Sequence, residues 1–543
     1  GADTIDEGTG ASNDENDTLD FSQFGDSGAM AGVSVDLSNT TQQPVLSTKL
    51  RLTITQADSL ENIIGTDFGD TLTGNSRDNL IEGGTGDDSL TGGTGTDTYV
   101  FARTGSEDLG DDTLTEGTGG SNDAGDTLDF SQFGAAVTVD ISSLTAIDLT
   151  DEVKVTLNDT AAFEGIIGTD FDDSLTGNSQ ANIFEGGLGD DSLVGGTGDD
   201  TYVFARSAEE DLGSDTITEG SGGSNDAGDK LDFLNFGSQV VVDLGAAAAQ
   251  AVNSRLTVTL GGADVIEHVV GSKFADTIIG NSRPNDLQGE GGADSISGGD
   301  GADTLDGGLN DDTLEGGLGD DSLTGGQAND RFVFARSGSE DLGDDTLDEG
   351  TGGDNDDADV LDFGAFGAGV TVDIGSLTAI DLMNEVKVTL NDTTAFEYVV
   401  GSALADTLTG NSRDNSLQGG AGNDTITAVG GQDTLEGGLG DDSLVGGAGN
   451  DIYVFARTGS EDLGDDTIDE GTGGSNDDDD ELDFSQFGAG MAVDLGDTTQ
   501  QTVLLNGLRL TITQADSLEN IIGTDFNDTL TGNARENELE GGA

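Results

Sequence analysis

Apolar and polar positions recur along residues 271–333 with a strict period of nine. Cut every nine residues, this stretch reads GSKFADTII, GNSRPNDLQ, GEGGADSIS, GGDGADTLD, GGLNDDTLE, GGLGDDSLT and GGQANDRFV. Position eight is apolar in every unit, and position six is acidic in every unit except the second, which has Asn285. Because nine residues allow one three-residue strand and one six-residue turn, two units predict one flat coil of eighteen residues.

The strand of each unit predicts a coil with an apolar interior. Side chains alternate along a strand, so position eight points inward and its small polar neighbours, mostly Thr and Ser, point outward. Glycine is concentrated in the first four positions, where it permits left-handed backbone conformations that a Cβ penalises. The predicted fold class is therefore all-β: a parallel β-roll, or β-solenoid, of nonapeptide repeats with β-rich spacers.

The acidic position six indicates metal binding at the turns. Turns on one edge of such a coil stack, so each carboxylate faces carbonyl oxygens and another carboxylate. A gap lined only by oxygen suits a hard cation with six to eight oxygen ligands, which indicates Ca²⁺ as the cofactor. Without the ion, two carboxylates ~4 Å apart repel by roughly 1 kcal/mol even in water. A disordered linker would not keep position eight apolar, and a metal-free solenoid would not require the acid.

Further runs of the same unit divide the chain into five predicted modules, each a spacer followed by repeats. The phrase Gly65-Thr-Asp-Phe68 opens the first run, and related phrases open the later ones. Long internal periods of this kind are typical of arrays and solenoids. The predicted modules are 1–100 (repeats 65–100), 101–203 (repeats 168–203), 204–333 (repeats 271–333), 334–454 (repeats 401–454) and a truncated 455–543 (repeats 523–543).

The acidic residues at position six of these runs are the predicted calcium ligands. They are Asp70, Asp88, Asp97, Asp173, Asp191, Asp200, Asp276, Asp294, Asp303, Asp312, Asp321, Asp330, Asp406, Asp424, Asp433, Asp442, Asp451 and Asp528. The second unit of each run has asparagine there, which we interpret as a turn that closes without full calcium coordination. These residues are Asn79, Asn182, Asn285, Asn415 and Asn537. Arginines in the same turns, such as Arg77 and Arg413, are expected to neutralise nearby carboxylates.

The spacers contain short runs of β-branched and apolar residues bounded by Gly, Asn and Asp, which predict strands. Examples are Val33–Leu37, Leu50–Ile54 and Val153–Leu157. Asp112-Thr-Leu114 and Asp126-Thr-Leu128 repeat the turn-to-strand pattern with a wider spacing. We interpret the spacers as further coils of the roll with longer turns; separate small β-sandwich domains are the alternative.

The amino-acid composition argues against several classes of function. The chain has 109 acidic and 17 basic residues, for a net charge of −92, so it has no basic footprint for nucleic acid. It has no cysteine, and no apolar run approaches the ~18 residues of a membrane span. His268 is the single histidine, and no G-x-S-x-G nucleophile motif is present, so we expect no enzyme.

The units GGTGDDSLT, GGLGDDSLV, GGDGADTLD and GGAGNDIYV resemble the hemolysin-type calcium-binding repeats of the repeats-in-toxin (RTX) family. The resemblance implies a right-handed β-roll with calcium in the turns, secretion through a type I channel and an extracellular or cell-surface location. Spacer phrases such as ENIIGTDFGDTLTGN resemble those between such repeats in large bacterial secreted proteins.

The family hosts many activities, so the fold does not determine the function. We expect an extracellular structural role, as a filament, surface layer or adhesin stalk that folds on binding Ca²⁺, with calcium ions and further copies of the chain, head to tail, as partners. The alternative is the calcium-folding export region of a larger type I-secreted exoenzyme or toxin.

Overall fold

The structure is a computed structural model of the 543-residue chain. It describes residues 2–5, 17–24, 31–46, 50–57, 59–102, 109–115, 125–150, 153–205, 210–219, 228–336, 342–350, 358–377, 380–382, 386–392, 396–456, 459, 462–471, 479–505, 507–514 and 516–542. The chain forms two compact units, Gly1–Val270 and Gly271–Ala543. Among the described residues, no helix has the length and apolar character needed to cross a bilayer.

The first unit consists of short strands. They are β1 Ala2–Ile5, β2 Thr18–Asp20, β3 Ser34–Asp36, β4 Gln43–Leu46, β5 Leu50–Ile54, β6 Asn62–Thr66, β7 Thr71–Thr73, β8 Leu80–Gly84, β9 Ser89–Thr91, β10 Thr98–Val100, β11 Gly110–Thr115, β12 Thr127–Asp129, β13 Thr138–Asp140, β14 Ile147–Thr150, β15 Val153–Leu157, β16 Gly165–Ile167, β17 Ser174–Thr176, β18 Ile183–Glu185, β19 Ser192–Val194, β20 Thr201–Val203, β21 Gly213–Thr218, β22 Lys230–Asp232, β23 Val241–Asp243, β24 Gln250–Ala251, β25 Leu256–Leu260 and β26 His268–Val270.

The second unit is built in the same way. Its strands are β27 Thr277–Ile279, β28 Asp286–Gln288, β29 Ser295–Asp300, β30 Thr304–Leu309, β31 Thr313–Leu318, β32 Ser322–Gln327, β33 Arg331–Val333, β34 Gly343–Asp348, β35 Asp359–Asp362, β36 Thr371–Asp373, β37 Ile380–Leu382, β38 Val386–Leu390, β39 Phe396–Val400, β40 Thr407–Thr409, β41 Ser416–Ala421, β42 Thr425–Gly430, β43 Thr434–Leu439, β44 Ser443–Ala448, β45 Ile452–Val454, β46 Gly464–Asp469, β47 Glu481–Asp483, β48 Ala492–Asp494, β49 Gln501–Leu504, β50 Leu508–Ile512, β51 Asn520–Ile522, β52 Thr529–Thr531 and β53 Glu538–Glu540.

Strands separated by one coil pair in parallel. Within the repeats, a residue pairs with the residue eighteen positions later, as in Leu72↔Leu90 and Leu175↔Leu193. In the first unit, one parallel run takes the order β2-β6-β8-β10-β12-β16-β18-β20-β22-β26. The intervening strands form two shorter sheets, β14-β15-β11-β9-β7-β3 and β13-β17-β19-β21-β25-β24. Two nonapeptides therefore make one coil, and the predicted parallel β-roll is confirmed.

The second unit repeats this arrangement. One parallel run takes the order β27-β29-β31-β33-β35-β39-β41-β43-β45-β47-β51-β53. The other strands form the orders β28-β30-β32-β34-β38-β37, β36-β40-β42-β44-β46-β50-β49 and β48-β52. The prediction that spacers are coils of the roll holds here and in the first unit, because spacer strands such as β12, β35 and β47 pair in parallel with strands of the repeats.

The interior is a column of position-eight side chains. Leu72, Leu90, Leu193, Leu305 and Leu435 are at most 2% exposed. In the spacer coils, stacked phenylalanines take the place of the leucines that fill the interior of the repeats. Phe101 and Phe130 stack with ring centroids 4.8 Å apart, and equivalent pairs are Phe204–Phe233, Phe334–Phe363 and Phe455–Phe484. The core is therefore continuous from repeats to spacers within each unit.

Each spacer also contains a β-hairpin that the sequence pattern did not predict. The outer strands β4, β14, β24, β37 and β49 run antiparallel to the strands that follow them in the chain. These outer strands end their sheets. The hairpins therefore divide one face of each unit into separate sheets, while the opposite face keeps its parallel run.

Candidate metal centres

The six-residue turns stack through direct backbone contact. Gly84 and Gly86, at positions two and four of one unit, have φ angles of 100° and 106°. A Cβ on Gly84 would lie 2.2 Å from the carbonyl oxygen of Thr66, one coil earlier. Glycine is needed here for both reasons: the left-handed conformation and the close approach of the preceding turn.

The position-six carboxylates form a ladder along the stacked turns. From the third unit of a run onward, the Oδ1 of each position-six aspartate, termed an interior-run aspartate, accepts a hydrogen bond from the backbone N–H of the position-six residue one coil earlier. The donor–acceptor distances are 2.6 Å from Asp276 to Asp294, 2.7 Å from Asp294 to Asp312 and 2.9 Å from Asp312 to Asp330. The side chains are buried inside their turns. The predicted juxtaposition of acidic residues is therefore present in the structure.

The second carboxylate oxygen of most interior-run residues has no hydrogen-bond partner. It lies against the position-one glycine of its own turn, as Asp312 Oδ2 does against Gly307. Burying an ionised carboxylate without a compensating partner is costly, so each such oxygen is expected to bind a cation or carry a proton. The residues with a buried, unpartnered Oδ2 include Asp88, Asp191, Asp294, Asp303, Asp312, Asp321, Asp330, Asp424, Asp433 and Asp442.

Burial raises the pKa of these carboxyls far above the ordinary value. Burial, with a smaller contribution from neighbouring carboxylates, raises the pKa of Asp88 to about 8 and that of Asp294 to about 7. The pKa of Asp303 rises to about 6, again mainly because of burial. At neutral pH the ladder therefore disfavours its own ionised form, and a bound cation would relieve this.

Five of the predicted ligands lie in a different environment. Asp70, Asp173, Asp276, Asp406 and Asp528 open their runs. Their carboxylates accept hydrogen bonds within the first turn, from the backbone N–H and the hydroxyl of a Thr or Ser four residues earlier. For Asp173, these bonds from Thr169 measure 2.6 and 3.0 Å, and Val137 N–H donates a third at 2.7 Å. These first-turn carboxylates already have partners, which compete with any ion.

The asparagines of the second units close their turns with amide hydrogen bonds. Asn79 Oδ1 accepts from Asn75 N–H at 2.7 Å, and Asn79 Nδ2 donates to the carbonyl oxygen of Glu61 at 3.0 Å. The same Oδ1 contact recurs at Asn182, Asn285, Asn415 and Asn537. Arg77 pairs with the buried Glu61, as expected of a neutralising arginine. Arg413–Glu397 and Arg535–Glu519 are equivalent pairs.

The ladder continues into the spacers through residues that were not among the predicted ligands. Asp88 N–H donates to Asp112 Oδ1 at 2.9 Å, and Asp97 N–H donates to Asp126 Oδ1 at 2.7 Å. The equivalent acceptors elsewhere are Asp215, Asp229, Asp345, Asp359, Asp466 and Asp480. The Asp-x-Leu phrases noted above were the signal, although their wider spacing concealed the register.

Among the described residues, two three-carboxylate groups also have the geometry to hold a metal ion. They are Asp200, Glu219 and Asp229, and Asp451, Glu470 and Asp480; within each group the candidate ligand oxygens lie within 4.8 Å of one another. The Tyr453 hydroxyl donates to Glu470 Oε1 at 3.0 Å, and burial raises the pKa of Glu219 to about 8. The glutamates come from spacer segments without the nonapeptide period, so the sequence pattern did not identify them.

The donor atoms of these centres fit calcium. Carboxylate and backbone carbonyl oxygens surround the buried positions, and the chain has no cysteine thiolate. Oxygen-only sets of this kind suit hard cations such as Ca²⁺. The side chains that would hold it are interior-run aspartates such as Asp191 and Asp312, whose Oδ2 atoms are buried without a hydrogen-bond partner.

Comparison with known families identifies the repeats. The RTX calcium-binding nonapeptide repeat matches residues 64–99, 167–202, 270–305, 279–314, 306–336, 400–435, 427–456 and 520–543. A comparison with curated proteins returned no match. The matched blocks coincide with the stacked turns and the aspartate ladder. The chain therefore contains RTX calcium-binding nonapeptide repeats, in five separate blocks along its sequence.

Proposed function

We propose that this chain is a secreted structural protein whose β-roll folds outside the cell on binding calcium. The observation that carries the proposal is the row of buried carboxylate oxygens without hydrogen-bond partners. Such a row is unfavourable in a folded chain until cations neutralise it. Because the folded state binds the ions and the unfolded state mostly does not, calcium binding supplies free energy of folding.

The proposed ligands are the position-six aspartates predicted from the sequence, with one distinction. The interior-run residues, of which Asp191 and Asp312 are examples, bind calcium between stacked turns. The first-turn residues, such as Asp173, primarily hold the Thr or Ser turn that opens the run. The division into five modules remains part of this proposal, because each run and its preceding spacer form one recurring set of coils.

The concentration of calcium favours an extracellular location. Extracellular calcium modules have dissociation constants of roughly 10⁻⁴–10⁻³ M, which cytosolic calcium does not reach. A ladder with many adjacent carboxylates would therefore remain without ions, and loose, inside the cell. Outside the cell the sites fill and the coils close. This behaviour suits export in an unfolded state.

The proposed structural role rests on the uniform architecture of the described residues. Repeats and spacers alike form coils of one type, and their outward strand positions are mostly small polar or acidic. Such an array suits a filament, a surface layer or an adhesin stalk, with further copies of the chain as partners. Sedimentation velocity at millimolar calcium tests this association: concentration-dependent assemblies support it, and a monomer at all concentrations contradicts it.

Far-ultraviolet circular dichroism tests calcium-dependent folding directly. We expect a coil spectrum in excess chelator and a β spectrum after calcium is added, with no equivalent change on adding magnesium. Mg²⁺ is smaller, demands near-octahedral geometry and gives up its waters reluctantly, so it is the matched ionic control. A β spectrum that is indifferent to chelator would remove the calcium assignment.

A further inference from the structure

In four of the five spacers, the residues that begin a strand of the roll have the backbone arrangement of positions four to six of a repeat turn, although their sequence lacks the nonapeptide pattern. We call these residues the spacer turns; they are Gly110–Asp112, Gly213–Asp215, Gly343–Asp345 and Gly464–Asp466. Their glycines have φ angles of 87°, 83°, 88° and 89°, like position four of a repeat. A Cβ on Gly343 would lie 2.0 Å from the carbonyl oxygen of Gly319, the position-four glycine one coil earlier. The spacer turn therefore stacks on the repeat turn before it.

The hydrogen bonds of the spacer turns follow the repeat register. At position five, Asp344 N–H donates to Asp320 Oδ1 at 2.9 Å, as Asp190 N–H does to Asp172 Oδ1 in the repeats. At position six, Asp345 Oδ1 accepts from Asp321 N–H at 3.0 Å. Asp112, Asp215, Asp345 and Asp466 are therefore position-six carboxylates in structural terms, and each is 3% exposed.

A second observation concerns the repeat turns on which the spacer turns stack, and it favours a cation at these steps. The repeat turns contribute Asp88, Asp191, Asp321 and Asp442, which are 2–3% exposed and whose Oδ2 atoms are buried without a hydrogen-bond partner. Each of these residues is bonded through its N–H to the spacer carboxylate. Two buried carboxylates therefore meet at each of these steps.

Among the described residues, two basic side chains near the spacer turns pair with position-five carboxylates. Lys387 Nζ lies 3.1 Å from Asp344 Oδ2, and Arg509 pairs with Asp465. These position-five carboxylates lie on the outer side of the turn and are at least partly exposed. The inner, position-six carboxylates of the spacer turns are buried instead, where a bound cation would balance their charge.

We propose that each spacer turn binds one Ca²⁺ between itself and the preceding repeat turn, with Asp112, Asp215, Asp345 and Asp466 as ligands. The proposal rests on the proposed function, because it extends calcium binding from the repeats to these steps. All four spacer turns lie outside the residues matched by the RTX repeat. The spacers thus add metal sites to the roll, besides connecting the repeat blocks.

The test counts bound calcium in the full chain. One variant combines Asp112→Asn, Asp345→Asn and Asp466→Asn. Asparagine keeps the size of aspartate and an oxygen that can accept the preceding N–H. The matched control combines Asp111→Asn, Asp344→Asn and Asp465→Asn, which removes the same charge from position five of the same turns. Bound calcium is measured by equilibrium dialysis and atomic absorption, and folding by circular dichroism.

We expect the position-six variant to bind one calcium ion fewer for each altered turn, and the position-five control to bind as many as the unaltered chain. An unchanged count in a folded position-six variant would overturn the proposal. If the triple variant does not fold, the three single variants decide in the same way, each by the loss or retention of one ion. An unaltered chain that binds no calcium would instead overturn the proposed function.

Discussion

Val429 occupies position two of the unit AVGGQDTLE, where other units have glycine. Its φ angle is 84°, in the left-handed region that a β-branched residue rarely adopts. Its side chain is 48% exposed, so it contributes little burial in exchange. Glu290, Asn310 and Ala328 also have positive φ angles at position two or four. The roll therefore imposes its turn conformation even where glycine is missing.

Replacing Val429 by glycine should stabilise the calcium-bound chain by about 1 kcal/mol, because the left-handed conformation costs a residue with a Cβ about 1–2 kcal/mol. Urea unfolding in calcium measures the change. The reverse substitution, Gly438→Val at the same position of the next unit, should destabilise, since a Cβ there would lie 2.1 Å from the carbonyl oxygen of Gly420. Equal stability of both variants would show that the turns tolerate either residue.

Asp191 and Asp173 distinguish an ion-binding carboxylate from a turn-holding one. Asp191→Asn should reduce the bound calcium, because the unpartnered Oδ2 becomes an amide nitrogen. Asp173→Asn should keep the calcium count but lower the free energy of unfolding by about 1–3 kcal/mol, because Thr169 loses charge-assisted hydrogen bonds. Equilibrium dialysis measures the bound calcium of both variants, and urea unfolding measures their free energy of unfolding. Identical behaviour would contradict the proposed division of roles.

For individual residues, the sequence predicted which positions stack in the aspartate ladder, but not the hydrogen-bond partners of each carboxylate. Asp173 and Asp191 occupy the same position in the nonapeptide, so the period alone cannot separate them. The difference lies at position two, where Thr169 has a hydroxyl and Gly187 has none. That contact is local, and the pattern G-T-D-F could have indicated it.

Among the elements, the spacer coils depend on stacked phenylalanines. Phe363 is fully buried between Phe334, at 4.9 Å, and Phe366, at 6.2 Å between ring centroids. Phe363→Ala should therefore lower the free energy of unfolding in calcium by about 3–5 kcal/mol. Phe274→Ala, at a ring that is 47% exposed, is the control and should change it by much less. Equal losses in urea unfolding would mean that the spacer core is not a coil of the roll.

The hairpins show which strands the sequence pattern could predict and which it could not. The predicted strands 50–54 and 153–157 occur with the same bounds as β5 and β15, because their alternation is regular. Their antiparallel partners β4 and β14 were not predicted, since pairing direction depends on the chain reversal between strands and not on alternation. Pro44 lies in the outer strand β4, where the missing N–H is tolerated at a sheet edge.

For the whole molecule, acid should partly replace calcium. Burial raises the pKa of Asp191 to about 7 and that of Asp466 to about 8, whereas an unfolded aspartate titrates near 4. Between these pH values the unfolded chain has released protons that the folded chain keeps, so stability falls as the pH rises. In calcium-free buffer we therefore expect more β structure at pH 5 than at pH 8.

Circular dichroism over this pH range, on protein freed of calcium by a chelating resin, measures the effect. The same series at millimolar calcium is the control, and its β signal should persist at pH 8. A calcium-free signal that grows as the pH rises would contradict the buried, proton-favouring ladder. The net charge of −92 acts in the same direction, because self-repulsion weakens as carboxyls gain protons.

The pairing interval has a consequence for how such a chain can change over generations. Residues one coil apart in the repeats are eighteen positions apart, whereas a single repeat is nine residues long. Gaining or losing one nonapeptide would keep each turn intact. It would, however, transfer every later strand of the same compact unit to the opposite face of the roll. Gaining or losing two repeats would leave all faces in place. Selection on a surface is therefore expected to preserve pairs of repeats, so that the heritable unit of growth is the coil.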